Sequence, residues 1–124
     1  MLFDSHAHYD DERFDEDRAK LLSRVHDSGV NRIVNVASDV ESSRFSIKLS
    51  EDYDFIYASV GVHPHVAETM NDGTIDELRE LSKHKKVVAI GEIGLDYYWD
   101  RSFVELQKEV FIKHKFIDCF FLFN

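Results

Sequence analysis

Asp4-Ser5-His6-Ala7-His8-Tyr9-Asp10, directly after Leu2-Phe3, reads as the end of a short first strand running into a loop. Side chains alternate faces along a strand, so Asp4, His6 and His8 point the same way. Two imidazoles side by side at a strand end can chelate one divalent metal. An acid two residues earlier is placed to hydrogen-bond a metal ligand from outside. The plainer reading is two polar histidines in a surface loop, and two-residue patterns recur by chance. The residues at the ends of the later strands decide between the two.

Working outward, an acidic run, Asp10-Asp11-Glu12, reads as solvated surface that favours the start of a helix. A helix is expected from Phe14 to His26, with Phe14, Leu21, Leu22 and Val25 on one face, Asp15 as N-cap and Gly29 just past the end. Asn31 to Ala37 is a second strand, rich in Val and Ile. A helix over about Val40 to Glu51 comes next, then a strand from Phe55 to Val62 ending at His63-Pro64-His65. Thr74-Ile75-Asp76-Glu77 is a capping box, with Thr74 as N-cap, and opens a third helix to about His84. Val87 to Glu92 is a fourth strand. Ser102-Phe103-Val104-Glu105 is a second capping box, opening a helix with Leu106 and Val110 inside. Strands alternating with helices predict an α/β fold with a parallel sheet.

In such a sheet the C-terminal strand ends share one face and carry the ligand site. The first strand ends in His6 and His8, the third in His63 and His65, and the fourth in Gly91-Glu92-Ile93-Gly94-Leu95-Asp96. The second offers Asn35, Ser38 and Asp39. A carboxylate closing the buried Val-Val-Ala-Ile run is costly unless paired or metal-bound, and Glu92 can bridge two cations, one per oxygen. With Glu92 on the same rim, the metal reading of His6 and His8 is favoured. His63 is a candidate for phosphate contact or proton transfer, or a hydrogen-bonded rim histidine. His65 reads as solvent-exposed. Asp96 either orients a ligand or braces its loop through backbone N–H groups, the second being favoured. Tyr97, Tyr98 and Trp99 read as hydrophobic anchors of that loop. His26, His84 and His114 receive no role.

The chain has 124 residues, enough for one small domain or part of a larger one. Its net charge of −9 argues against a basic nucleic-acid footprint and against anionic membrane surfaces, although bound metal can supply local positive charge for a phosphate substrate. One cysteine, Cys119, fits a reducing compartment. No signal peptide and no run long enough to span a bilayer is visible, so the expected compartment is the cytoplasm, or the nucleus in a eukaryote.

Three blocks, Phe3-Asp4-Ser5-His6-Ala7-His8, Gly61-Val62-His63-Pro64-His65 and Gly91-Glu92-Ile93-Gly94-Leu95-Asp96-Tyr97, closely resemble the N-terminal half of the TatD-type metal-dependent deoxyribonucleases, β/α-barrel hydrolases related to amidohydrolases. Arg101 and Gln107-Lys108-Glu109-Val110-Phe111 add to the match, which covers about residues 1–114. The resemblance implies a TIM-barrel-like fold, here truncated to about four β-α units, a half barrel. It implies one or two divalent ions, Zn²⁺, Mg²⁺ or Mn²⁺, held by His6, His8 and Glu92, with His63 near the substrate phosphate; Asp4 and Asp96 read beside them as supporting residues, touching a ligand from outside or bracing the local structure. The implied reaction is hydrolysis of DNA phosphodiester bonds, at an end or in a single strand. Two further histidines and an aspartate of the family have no counterpart here. The metal site is therefore expected to be partial, no catalytic base is assigned, and activity of these 124 residues is expected to be weak or absent. Residues 115–124 form a divergent apolar tail in which Phe116, Phe120, Phe121 and Phe123 crowd together. Two alternatives stay open: another HxH hydrolase, an amidohydrolase or phosphoesterase, or a non-catalytic barrel fragment that self-associates through its exposed surfaces.

Overall fold

The computed structural model describes residues 1–98 and 103–117. Trp99, Arg101, Ser102 and the tail residues Cys119, Phe120, Phe121 and Phe123 lie outside the described residues, and with them the second capping box. Four strands, β1 (Leu2–Ala7), β2 (Val30–Asn35), β3 (Ile56–Val60) and β4 (Val87–Ile90), alternate with α1 (Arg18–Asp27), α2 (Val40–Asp52), α3 (Thr74–Leu81) and α4 (Val104–His114). The strands pair in parallel in the order β1-β2-β3-β4. The alternation of strands and helices gives the parallel sheet, and its sequential strand order is that of half a β/α barrel.

The helix-facing side of the sheet buries two clusters. Leu22 of α1 and Leu49 of α2 meet Ala7, Ile33 and Ile56; Ile47 and Leu78 meet Ala58, Val60, Val62, Val87 and Ile117. Leu22, Ile33, Ile56 and Leu78 are fully buried, each contributing about 1.5–3 kcal/mol of hydrophobic stabilisation. Among the described residues, β1 and β4 each pair on one side only, and Leu2 and Phe3 of β1 are 61% and 64% exposed. No helix of the described residues is long and apolar enough to cross a membrane.

Three local expectations are corrected. The first helix starts at Arg18 rather than Phe14, because residues 12–14 form a 3-10 turn capped by Asp11. Asp15 is not the N-cap of α1: its carboxylate meets Arg18, whose guanidinium reaches back to the carbonyls of Tyr9 and Asp11 and stacks over Phe45. Gly29 holds φ 100°, as expected just past the helix end. The Thr74 capping box does not form. Gly73 is the N-cap, Thr74 Oγ1 accepts the Asn71 N–H at 3.0 Å, and the Glu77 carboxylate pairs with Arg44 of α2. The reciprocal box appears instead at α2, where Asp39 Oδ1 accepts the Ser42 N–H at 2.7 Å and Ser42 Oγ accepts the Asp39 N–H at 2.9 Å. Asp39, read as a rim acid, is thus a helix cap.

Candidate metal centre

The strand ends converge as the period-two reading predicts. His6 lies on β1 and His8 one residue past it, and their Nε2 atoms approach to 3.1 Å. The residue after β2 serves as a template for them. Val36 N–H donates to the Ala7 carbonyl at 2.7 Å, and the Val36 carbonyl is 2.9 Å from His8 Nδ1. Because a carbonyl only accepts, His8 carries its proton on Nδ1 and turns the Nε2 lone pair outward.

Glu92 enters from the other side. Gly61 and Gly91 let β3 and β4 approach closely: a Cβ on Gly61 would stand 2.9–3.1 Å from the Gly91 backbone. Ser59 Oγ donates to the Gly91 carbonyl at 2.6 Å, and Glu92 N–H donates to the Ala37 carbonyl at 2.7 Å. Glu92 Oε2 then lies 3.3 Å from His6 Nε2 and 3.9 Å from His8 Nε2, while Oε1 lies 3.5 Å from His63 Nε2. The circle through three atoms 3.1, 3.3 and 3.9 Å apart has a radius of about 2.0 Å, a Zn–N or Zn–O bond length. A small divalent cation near that centre is within bonding reach of all three donors, and two imidazoles with a carboxylate are a donor set suited to zinc and its neighbours.

His63 is the most enclosed of the rim histidines, its side chain 22% exposed. Its N–H donates to the Ser38 carbonyl at 2.8 Å, and its Nδ1 accepts the His65 N–H at 3.1 Å. The ring proton is thereby assigned to Nε2, which faces Glu92. Burial pulls the His63 pKa down, opposed by the Glu92 charge and aided by His65. A cleft of about 370 Å³ opens beside these groups, walled by His8, Asp10, Ser38, His63, His65 and Glu92.

The remaining expectations divide. Asp96 braces its loop: Oδ1 accepts the Tyr98 N–H at 2.9 Å, while Gln107 of α4 accepts the Asp96 N–H at 2.7 Å and donates to its carbonyl at 3.0 Å. His65 is exposed as expected, but it also holds Asp96 Oδ2 at 2.6 Å and so ties the two rim loops together. Asp4 takes the structural one of the two roles read for it: its carboxylate accepts the backbone N–H of His6 at 3.1 Å, in a stretch where the β1–β2 register slips. Asp10 is corrected. It accepts from the buried Asn35 at 2.8 Å instead of standing as free surface charge. Asp11 pairs with Arg13, whose hydrogen bonds hold its carboxyl at about 2. Tyr98 is 83% exposed and so is not a hydrophobic anchor.

Two supporting residues receive no role in the sequence reading, Gln107 standing there only as part of the matched helix. Gln107 is buried against Asp96. His114, 2% exposed, donates from Nδ1 to the Val110 carbonyl at 2.8 Å and accepts the Val62 N–H at 3.1 Å, directly behind His63. Burial holds its pKa below the ordinary histidine value.

A half barrel whose strand ends gather two histidines and a glutamate defines a candidate metal-binding scaffold. The chain belongs to the family described as TatD related DNase, whose profile matches residues 3–117. It is 47% identical over 111 residues to YabD of Bacillus subtilis, described as an uncharacterized metal-dependent hydrolase, across 90% of this chain and 44% of that protein. It is 32% identical over 111 residues to the 3′-5′ ssDNA/RNA exonuclease TatD of Musicola paradisiaca, across 89% of this chain and 42% of that one. The crystal structure of the TatD homologue YjjV of Escherichia coli superposes with a TM-score of 0.82 at 32% identity, covering 91% of this chain and 44% of YjjV. The chain thus spans less than half the length of the relatives it matches.

Proposed function

We propose that this chain supplies the metal-binding portion of a hydrolase acting on phosphodiester bonds of single-stranded nucleic acid, with His6, His8 and Glu92 as metal ligands. The observation that carries this reading is the convergence of their three donor atoms on one point at bonding distance. A divalent ion held there supplies Lewis acidity toward a phosphate and lowers the pKa of a bound water. Zinc suits the donors best, and Mg²⁺ or Mn²⁺ suits phosphodiester chemistry.

The chain's own residues do the rest. Glu92 divides its oxygens, Oε2 toward the histidine pair and Oε1 toward the Nε2–H of His63 at 3.5 Å. His63, held by the Ser38 carbonyl and the His65 N–H, presents Nε2–H to an anionic phosphate oxygen entering the cleft. The bracing of Asp96 by Gln107 and His65 fixes the loop after Glu92, keeping the carboxylate aimed. The substrate class is taken from the relative named as an ssDNA/RNA exonuclease. The 124 residues alone carry three donors and no assigned base, so their turnover is expected to be weak.

A chimera tests this. Residues 1–117 are joined to the remainder of the Musicola paradisiaca exonuclease and assayed with end-labelled single-stranded oligonucleotides and Zn²⁺, Mg²⁺ or Mn²⁺. Metal-dependent shortening that Glu92→Gln abolishes is expected. A folded chimera without activity, or an isolated chain as fast as the complete relative, would contradict the reading. Activity on phosphomonoesters or amides alone would reassign the substrate.

A further inference from the structure

We propose that Asn35 is the positioning residue of this metal site, holding the loop that carries His8. The inference rests on the metal reading above and adds a residue to it. Asn35 closes β2, is fully buried, and sits in a strand otherwise rich in Val and Ile. A buried carboxamide is costly unless its donors and acceptor are used, and here each is. Oδ1 accepts the Tyr9 N–H at 2.6 Å; Nδ2 donates to Asp10 Oδ1 at 2.8 Å and to Ser46 Oγ of α2 at 2.8 Å.

Two of those three bonds fall on the residues immediately after His8. The next residue along the chain, Val36, makes the two bonds that bracket His8 itself, to the Ala7 carbonyl and to the His8 ring. Four successive residues, Ala7 to Asp10, are therefore registered against two, Asn35 and Val36. From the outer side Arg18 grips the carbonyls of Tyr9 and Asp11, so the loop cannot relax away from the sheet without breaking bonds on both faces. Without the carboxamide, Tyr9 N–H loses its acceptor, the loop lifts, and the Val36 carbonyl no longer selects the Nδ1-protonated form of His8. The ligand nitrogen is then neither aimed nor reliably unprotonated.

The test uses the 124-residue chain in four variants. Asn35→Asp keeps the acceptor for Tyr9 but sets a carboxylate against that of Asp10. Asn35→Asp with Asp10→Asn restores the donor-acceptor match with the polarity reversed. Ser46→Ala removes the one bond of the network that does not touch the ligand loop. Asp10→Ala sheds a single loop bond. Zn²⁺ affinity is read by competition titration, stability by thermal unfolding, and the His8 proton position by long-range ¹⁵N–¹H correlation without metal.

Asn35→Asp should weaken Zn²⁺ about 10–100-fold and abolish the Nδ1-protonated signature of His8. The double variant should recover both to within about threefold. Ser46→Ala should lower the unfolding temperature with affinity unchanged. Should Asn35→Asp not fold, Asp10→Ala carries the comparison at smaller amplitude, a loss of about threefold or more. Unchanged affinity and tautomer in a folded Asn35→Asp or Asp10→Ala, or equal loss in Ser46→Ala, overturns the inference. A parent chain that binds no Zn²⁺ overturns the metal reading instead.

Discussion

Gly61→Ala is the substitution whose effect the structure fixes most tightly. The added methyl would lie 2.9, 3.0 and 3.1 Å from the C, O and N atoms of Gly91, against about 3.5–4.0 Å for relaxed carbon contacts. The obstacle is backbone, so no side chain can swing aside, and β3 and β4 must part by about 0.5 Å. Overpacking of this kind costs about 1–3 kcal/mol, which for a chain of this size lowers the unfolding temperature by about 4–12 °C. The displaced peptide leads directly into Glu92, so Zn²⁺ affinity should fall with stability, by about tenfold. Gly91→Ala is the control from the opposite strand: its methyl would meet only Ser59 Oγ, at 3.8 Å, and should cost less than about 1 kcal/mol. Thermal unfolding and competition titration read both effects. A Gly61→Ala chain that melts with the parent and binds Zn²⁺ equally would refute the close-approach reasoning.

The remaining expectations concern stability and the rim. The His114 pKa is depressed in the folded chain, so above the ordinary histidine value of about 6.5 both states are neutral and stability is level. As pH falls below that value, the unfolded chain takes up the proton first and stability declines until the folded pKa is passed. His63 is shifted the same way, so His114→Gln should reduce this slope in urea titrations between pH 7 and 5 without abolishing it; an unchanged slope would count against the buried neutral ring. Arg18→Met leaves the Tyr9 and Asp11 carbonyls without their shared donor and should cost about 1–3 kcal/mol by urea denaturation. Gln107→Leu unties the Asp96 backbone and should lower Zn²⁺ affinity through the Glu92 loop, detectable in the same titration; an unchanged affinity would show the brace to be irrelevant to the site.

How far the sequence is legible depends on the range of the interactions. Three of the four strands, β2, β3 and β4, announce themselves through short runs containing Val and Ile, and β1 with its candidate ligand pair through the two-residue repeat of His6 and His8, a local periodicity. Glu92 stands out because a carboxylate ends an apolar run. The start of α1 is hidden because Arg18 reaches back nine residues to Tyr9, a tertiary contact that overrides the local Asp15 cap signal. The Thr74 box fails because Glu77 finds Arg44, 33 residues away, instead of its own helix end. Asn35 is visible only as a polar residue in an apolar strand, since its partners Tyr9 and Asp10 lie 26 and 25 residues upstream. His65 and Asp96, 31 residues apart, meet only because β3 and β4 are neighbours.

The claim on which the rest depends is that His6, His8 and Glu92 form one cation site. Calorimetric titration of Zn²⁺ into the 124-residue chain and into His8→Ala tests it most directly. A single site per chain, weakened at least about tenfold by His8→Ala while the far-ultraviolet spectrum is unchanged, is the predicted result. Equal binding by the two chains, or none by the parent, would contradict it.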